Sequence, residues 1–359
     1  MQKAYTVSLA MLLGFLVLTG ACSPTAPAAA TRPAPVENIT IVSVEKTGGL
    51  LTTRYQIPVS MSAADPTQYK LAAWLTTPSD GQDVALVTVP GSTYGHAYWD
   101  FPYQPDTYSF TRAMAEDGYT VLNIDRLGSG ESSRPNGSIT GDVQAFVVHQ
   151  VVQDLRAGAI GQHAYKKVFL VGHSLGSCVI IQEAATYADG DGLIITGLLH
   201  SQSFPGQGLS SLTPLMENSF LSGDPIFKDV PYSSYTTAPG KRGEAFYNVS
   251  EADPQVLNTD EQTKTITPLS ENNVFLAVKL TDRIKVPIFF AVGEVDRIFD
   301  APPSKLTIES VRSGESQYYP ASAGLTFFVL QGAGHDINLQ RGAPQWYQAA
   351  GDWLGAESK

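Results

Sequence analysis

Three residues of this chain have the types and the settings to make a serine reactive. Ser174 stands at the apex of Gly172-His173-Ser174-Leu175-Gly176, directly after the apolar run Val168-Phe169-Leu170-Val171 and just before Val179-Ile180-Ile181-Gln182-Glu183-Ala184-Ala185. The apolar run reads as a buried strand and the later segment as a helix. A strand, a sharp turn and a helix lift the serine hydroxyl above the strand end, and the flanking glycines let neighbouring backbone come close. The same turn leaves the Leu175 N–H to donate to a developing oxyanion.

A serine hydroxyl is a weak nucleophile near neutral pH and needs a base, itself oriented by an acid. The histidines are His96, His149, His163, His173, His200 and His335. His335 has the suitable setting, a Gly-flanked loop immediately after the predicted strand at 325–330, since functional groups gather beyond the carboxyl ends of parallel strands. His173 lies inside the turn and must point away from the Ser174 hydroxyl. His149 and His163 lie on or after a helix and read as ordinary polar positions. For the acid, Asp296 follows the predicted strand 286–292 through Gly293-Glu294-Val295, with Glu294, Asp300 and Asp336 as rivals. Asp125 reads as a turn residue that bonds its own loop.

A second oxyanion donor is expected from the loop after the apolar run 84–89. Pro90 has no N–H, and Gly91 permits close approach, so Ser92 N–H leads, with Thr93 as the alternative. Tyr94, His96 and Trp99 beside that loop are candidates for the pocket wall.

The elements that must position these groups follow from the pattern. Strands are predicted at 38–44, 69–76, 84–89, 120–124, before Gly172, at 193–201, 286–292 and 325–330, with helices near 108–115, 143–159, 179–185 and 344–354. Strand and helix alternate from 84 to 188, which implies parallel strands joined by right-handed crossovers. The stretch 204–284 is rich in Pro, Gly, Ser and aromatics, lacks a strand signal, and reads as an inserted cap. The expected division is a signal peptide at 1–21, a flexible Pro/Ala-rich tether at 22–36, a core at 37–203 and 285–359, and the cap at 204–284.

Lys3, the apolar stretch 7–18 and Thr19-Gly20-Ala21 form an export signal. The apolar stretch is too short for a comfortable membrane span. Cys22 follows directly, as in bacterial lipoprotein signals, although Thr19 stands where those usually carry Leu. Lipidation at Cys22 and plain cleavage with release both remain open, and either exports the protein. Cys22 and Cys178 are the only cysteines, so no disulfide framework is expected. Asn38, Asn136 and Asn248 head glycosylation sequons and leave glycosylation open. A hydrophobic content of 43% with 16% charged residues describes a globular chain. A net charge of −11 without a basic run argues against a nucleic-acid partner.

Gly172-His173-Ser174-Leu175-Gly176, Gly293-Glu294-Val295-Asp296, Gly334-His335 and Asp125-Arg126-Leu127-Gly128-Ser129-Gly130-Glu131-Ser132 together resemble the α/β-hydrolase superfamily over residues 38–354. The resemblance implies an α/β-hydrolase fold: a mostly parallel sheet, helices on both faces and an inserted cap. The order Ser174, Asp296, His335 matches that family. Pro90-Gly91 departs from its usual His-Gly, and the triple glycine of lipases and esterases is absent. Ser174 replaces the Asp nucleophile of haloalkane dehalogenases and many epoxide hydrolases, which disfavours both activities. The expectation is acyl-enzyme hydrolysis of a small-molecule carboxylic ester, with an apolar acyl or alcohol group suggested by the aromatic cap. Ser174 would attack, His335 would act as base, Asp296 would hold the imidazole, and Ser92 and Leu175 N–H would bind the oxyanion. No metal or organic cofactor is required, and membrane contact would come only through lipidation at Cys22. The alternatives are the same triad on a C–C, amide, lactone or peroxide substrate, or a non-catalytic binding protein on the same fold.

Overall fold

The computed structural model describes residues 38–200, 212–219, 221–222, 224–227, 230–231, 233–298 and 305–359. The export signal, the tether with Cys22, cap residues 204–211 and Asp300 lie outside the described residues. Strands β1 (Thr40–Thr47) and β2 (Leu50–Ser62) form a hairpin closed by Gly48-Gly49, with φ of 59° and 87°. Paired left-handed residues give the turn whose twist matches flanking strands. β3 (Asp65–Thr77) pairs antiparallel with β2, and β4 (Val84–Val89) follows.

Then come α1 (Pro105–Tyr108), α2 (Phe110–Glu116), β5 (Thr120–Ile124) and α3 (Gly141–Arg156). Thr140 caps α3 by accepting from Val143 N–H, while Asp142 and Arg156 complement its dipole at either end. β6 (Lys167–His173), α4 (Leu175–Thr186) and β7 (Gly192–Thr196) complete this alternating half.

Between β7 and the next core strand stands the inserted region. It contains β8 (Met216–Asn218), β9 (Ser234–Thr237), α5 (Arg242–Phe246), α6 (Pro254–Thr263), β10 (Thr267–Pro268) and a run of 3-10 turns over Leu269–Arg283. β11 (Ile288–Gly293), α7 (Ile308–Glu315), β12 (Leu325–Leu330) and α8 (Ala343–Glu357) finish the chain.

The main sheet runs β1-β2-β3-β5-β4-β6-β7-β11-β12, and every pair from β5 to β12 is parallel. This is the α/β-hydrolase fold. Every residue of β4, β5, β7 and β11 is buried. Their continuous Val, Leu and Ile runs are therefore covered on both faces, each such side chain contributing about 1.5–3 kcal/mol.

Two differences from the sequence pattern stand out. β2 is absent from that pattern because Pro58 interrupts the run, yet Pro58 sits in register opposite Lys70. The cap carries a small antiparallel sheet, β10-β9-β8. Its strands of two to four residues are too short to leave a periodic signal. Among the described residues, no helix is long and apolar enough to cross a membrane.

Candidate active site

Ser174 sits between β6 and α4 with φ 52° and ψ −115°, a conformation that a residue bearing a side chain rarely adopts. Such strain persists only where the surroundings over-determine it. Here Ser174 N–H donates to Thr196 O at 2.8 Å, tying the turn to the end of β7. A Cβ on Gly172 would lie 2.6 Å from Ser177 backbone, and one on Gly176 would lie 2.1 Å from Val89 O. Both positions therefore exclude any side chain. Cys178 is buried inside α4, and burial pushes its thiol up, away from reactivity.

His335 follows β12 and is 2% exposed, as is Asp296 after β11. Their contact is His335 Nδ1 to Asp296 Oδ2 at 2.8 Å, while Asp296 Oδ1 accepts from Ile298 N–H at 3.0 Å. With Nδ1 on the carboxylate, Nε2 is the basic nitrogen of the ring. Burial works against a charged imidazole, but the Asp296 charge and hydrogen bond outweigh it and hold His335 above its ordinary value. The His335 and His173 rings are 4.8 Å apart. A Cβ on Gly197, next to the Thr196 carbonyl that anchors Ser174, would lie 3.0 Å from His335 Cε1.

The rival acids are occupied elsewhere. Glu294 receives Lys305 Nζ at 3.0 Å and Gly332 N–H at 3.1 Å, and the lysine contact lowers its pKa. Asp336 faces His173 Nε2 at 3.0 Å and accepts from the Tyr94 hydroxyl. Asp125 ties its own loop, accepting from Glu131 N–H at 2.8 Å and His96 N–H at 2.7 Å.

The loop after β4 lies against the elbow, since a Cβ on Gly91 would come 3.3 Å from Ser174 Cβ. Thr93 N–H is committed to Thr267 Oγ1 at 2.8 Å, which leaves Ser92 as the loop's candidate donor. Leu175 N–H opens α4, where first-turn amides have no intrahelical partner.

The three proposed wall residues have other surroundings. Trp99 is fully buried among Phe110 and Tyr98, so its ring belongs to the core. His96 stacks on Trp74 with ring centroids 3.5 Å apart and bonds Asp125. Tyr94 is buried under the Arg242 guanidinium, with its hydroxyl on Asp336 and Asp260.

Several neighbours of the site carry no sequence signal. Ser92 Oγ donates to the Tyr235 hydroxyl at 2.8 Å, which donates in turn to Asn272 Oδ1 at 2.8 Å. Arg126 and Glu271 form a buried ion pair of 2.6 Å beneath the same loop. Tyr235, Glu271 and Asn272 come from the cap, where no pattern points at the site. Arg126 was visible only as part of the turn after β5.

The family profile described as "Alpha/beta hydrolase family" matches residues 86–347, well over half of the chain. The chain belongs to the alpha/beta hydrolase family. Solved structures share the fold of this hydrolase at low identity. A thermophilic esterase from Thermogutta terrifontis matches with a TM-score of 0.56 and 18% identity, covering 85% of this chain and 99% of that one. A monoacylglycerol lipase from Paleococcus ferrophilus gives 0.53 and 17%, covering 81% and 100%. A bromoperoxidase from Bacillus anthracis gives 0.58 and 16%, covering 84% and 99%.

Proposed function

We propose that this alpha/beta hydrolase is a serine hydrolase that cleaves a carboxylic ester through an acyl-enzyme. The observation that carries the reading is the buried 2.8 Å contact of Asp296 with His335 Nδ1, taken together with a serine held at φ 52° on a helix N-terminus. Ser174 Oγ attacks the carbonyl carbon while His335 Nε2 takes its proton. Ser92 N–H and Leu175 N–H receive the oxyanion, and His335 returns the proton to the leaving alcohol. Water then repeats the sequence to release the acid. The Phe246 ring, 5.9 Å from the His335 ring, favours an apolar ester. The structural neighbours include esterases and a lipase, which supports the ester class. The leader read at 1–21 with Cys22 supports work outside the cytoplasm, and mass analysis of the mature N-terminus tests that.

Hydrolysis of p-nitrophenyl acetate, butyrate and decanoate tests the activity. Wild type should turn over at least one of them, and Ser174→Ala should lower kcat by roughly 10⁶-fold. A folded wild type inert to all three, or an active Ser174→Ala, overturns the reading.

A further inference from the structure

We infer that Arg126, gripped by Glu271 of the cap, is the positioning residue that turns the Ser92 amide into the oxyanion site. This inference rests on the hydrolase reading above.

Arg126 is 1% exposed and each of its nitrogens has a partner. Nη1 donates to Pro90 O and to Gly91 O, both at 2.7 Å. Nη2 donates to Thr267 Oγ1 at 3.3 Å, and Nε donates to Glu271 Oε1 at 2.6 Å. Two consecutive carbonyls of the loop thus point to one guanidinium. In a trans peptide the N–H lies opposite the C=O across the same plane. Pinning Gly91 C=O on Arg126 therefore turns Ser92 N–H to the other side of the loop. Gly91 meets the elbow closely, with an added Cβ only 2.9 Å from His173 Cδ2 and 3.3 Å from Ser174 Cβ.

A donor is useful to an oxyanion only if it is already aimed, because reorganisation during reaction would cost what the hydrogen bond returns. Within the loop, Gly91 O also accepts from Tyr94 N–H at 3.2 Å. Arg126 adds the constraint from the core, because it holds Pro90 O together with Gly91 O. Burying its charge is sustained by Glu271, so the pair stands or falls together.

Glu271 and Thr267 belong to the inserted region, whereas Pro90, Gly91 and Arg126 belong to the core. Thr267 also accepts Thr93 N–H at 2.8 Å and Ser92 Oγ at 3.4 Å. The amide aimed at the substrate is thereby set by how the cap is seated. Catalytic competence and cap seating are one event in this arrangement.

The test uses the full chain with Arg126→Met, Arg126→Lys and Glu271→Gln beside wild type and Ser174→Ala. Active sites are titrated with a fluorophosphonate taken to completion, so that kcat is read per competent site. Arg126→Met should lower kcat on the order of 10²-fold, the cost of losing one aimed oxyanion donor. KM should change less than about threefold, because the donor acts in the transition state. Inhibition by phenylboronic acid, whose tetrahedral adduct places an oxygen in the same site, should weaken by the same factor. Arg126→Lys should recover only part of the loss, since one ammonium cannot span two carbonyls and Glu271. Should Arg126→Met fail to fold, Glu271→Gln keeps the guanidinium and should cost about tenfold in kcat at unchanged KM.

Wild-type kcat and boronate affinity in folded Arg126→Met or Glu271→Gln overturn the clamp and leave the hydrolase reading intact. A rise in KM at constant kcat overturns it equally. An inert wild type, or turnover surviving Ser174→Ala, overturns the hydrolase reading itself.

Discussion

Asp296–His335 and Asp336–His173 are the same pair of residue types in the same kind of contact, at 2.8 and 3.0 Å, with their imidazole rings 4.8 Å apart. All four side chains are buried. Their surroundings make them electrical opposites. Asp296 accepts a backbone N–H on its second oxygen and lends its charge to His335, which is raised above its ordinary value despite burial. Asp336 lies deeper, beside Tyr94 and within the field of Asp260. Burial first, and then the Asp260 charge, push its carboxyl up to about 8. Burial and the neighbouring His335 pull His173 well below its ordinary value.

Near neutral pH the second pair is therefore a neutral acid and a neutral imidazole. Thr196 Oγ1 donates to Gly172 O at 3.0 Å, so it receives His173 Nδ1–H and leaves Nε2 to accept the Asp336 proton. The deeper pair braces the elbow from behind, whereas the outer pair can store and release a proton. Contact alone does not make a catalytic dyad; the charge state its surroundings permit does.

The largest separation should come from the bases. His335→Ala should lower kcat by roughly 10⁶-fold in ester turnover. The acids come next. Asp296→Asn should cost roughly 10⁴-fold in kcat, because the amide favours the wrong imidazole tautomer. Asp336→Asn matches a neutral acid, with an amide N–H for His173 and a carbonyl for Tyr94. It should stay within about threefold of wild type. Equal losses in both asparagine variants would erase the distinction between the pairs.

Smaller effects appear against pH. The base must be unprotonated to act, so kcat/KM should rise with pH through an apparent pKa above 6.5. A limb below 6.5 would contradict the raised His335. Stability should follow the other pair. Between the ordinary carboxyl value of 3.8 and about 8, folded Asp336 holds a proton that the unfolded chain has lost. Its contribution is complete below that window and declines as pH rises through it. Asp336→Asn should flatten the decline in Tm from pH 5 to 8 by several degrees.

The contact of the outer pair was legible in the sequence because each member stands at a strand's end behind a glycine turn. Local pattern and chain order are enough to nominate Ser174, Asp296 and His335. The second pair was not legible, because Asp336 adjoins His335 in sequence yet faces the elbow across the fold, and only burial sets its charge. Trp99 and Tyr94 looked like pocket walls from their place after β4, but a run of aromatics there serves the core. Glu271, Thr267 and Tyr235 reach Ser92 and Arg126 from a segment whose short strands leave no periodicity. The core strands announced themselves through continuous apolar runs, while β2 was hidden by Pro58.

The most direct measurement is the rate and site of fluorophosphonate labelling in wild type, Asp296→Asn and Asp336→Asn, read by intact mass and peptide mapping. One adduct is expected, on Ser174, forming at nearly the wild-type rate in Asp336→Asn and orders of magnitude more slowly in Asp296→Asn. An adduct on another residue, or rapid labelling of Asp296→Asn beside an unreactive, folded Asp336→Asn, would contradict it.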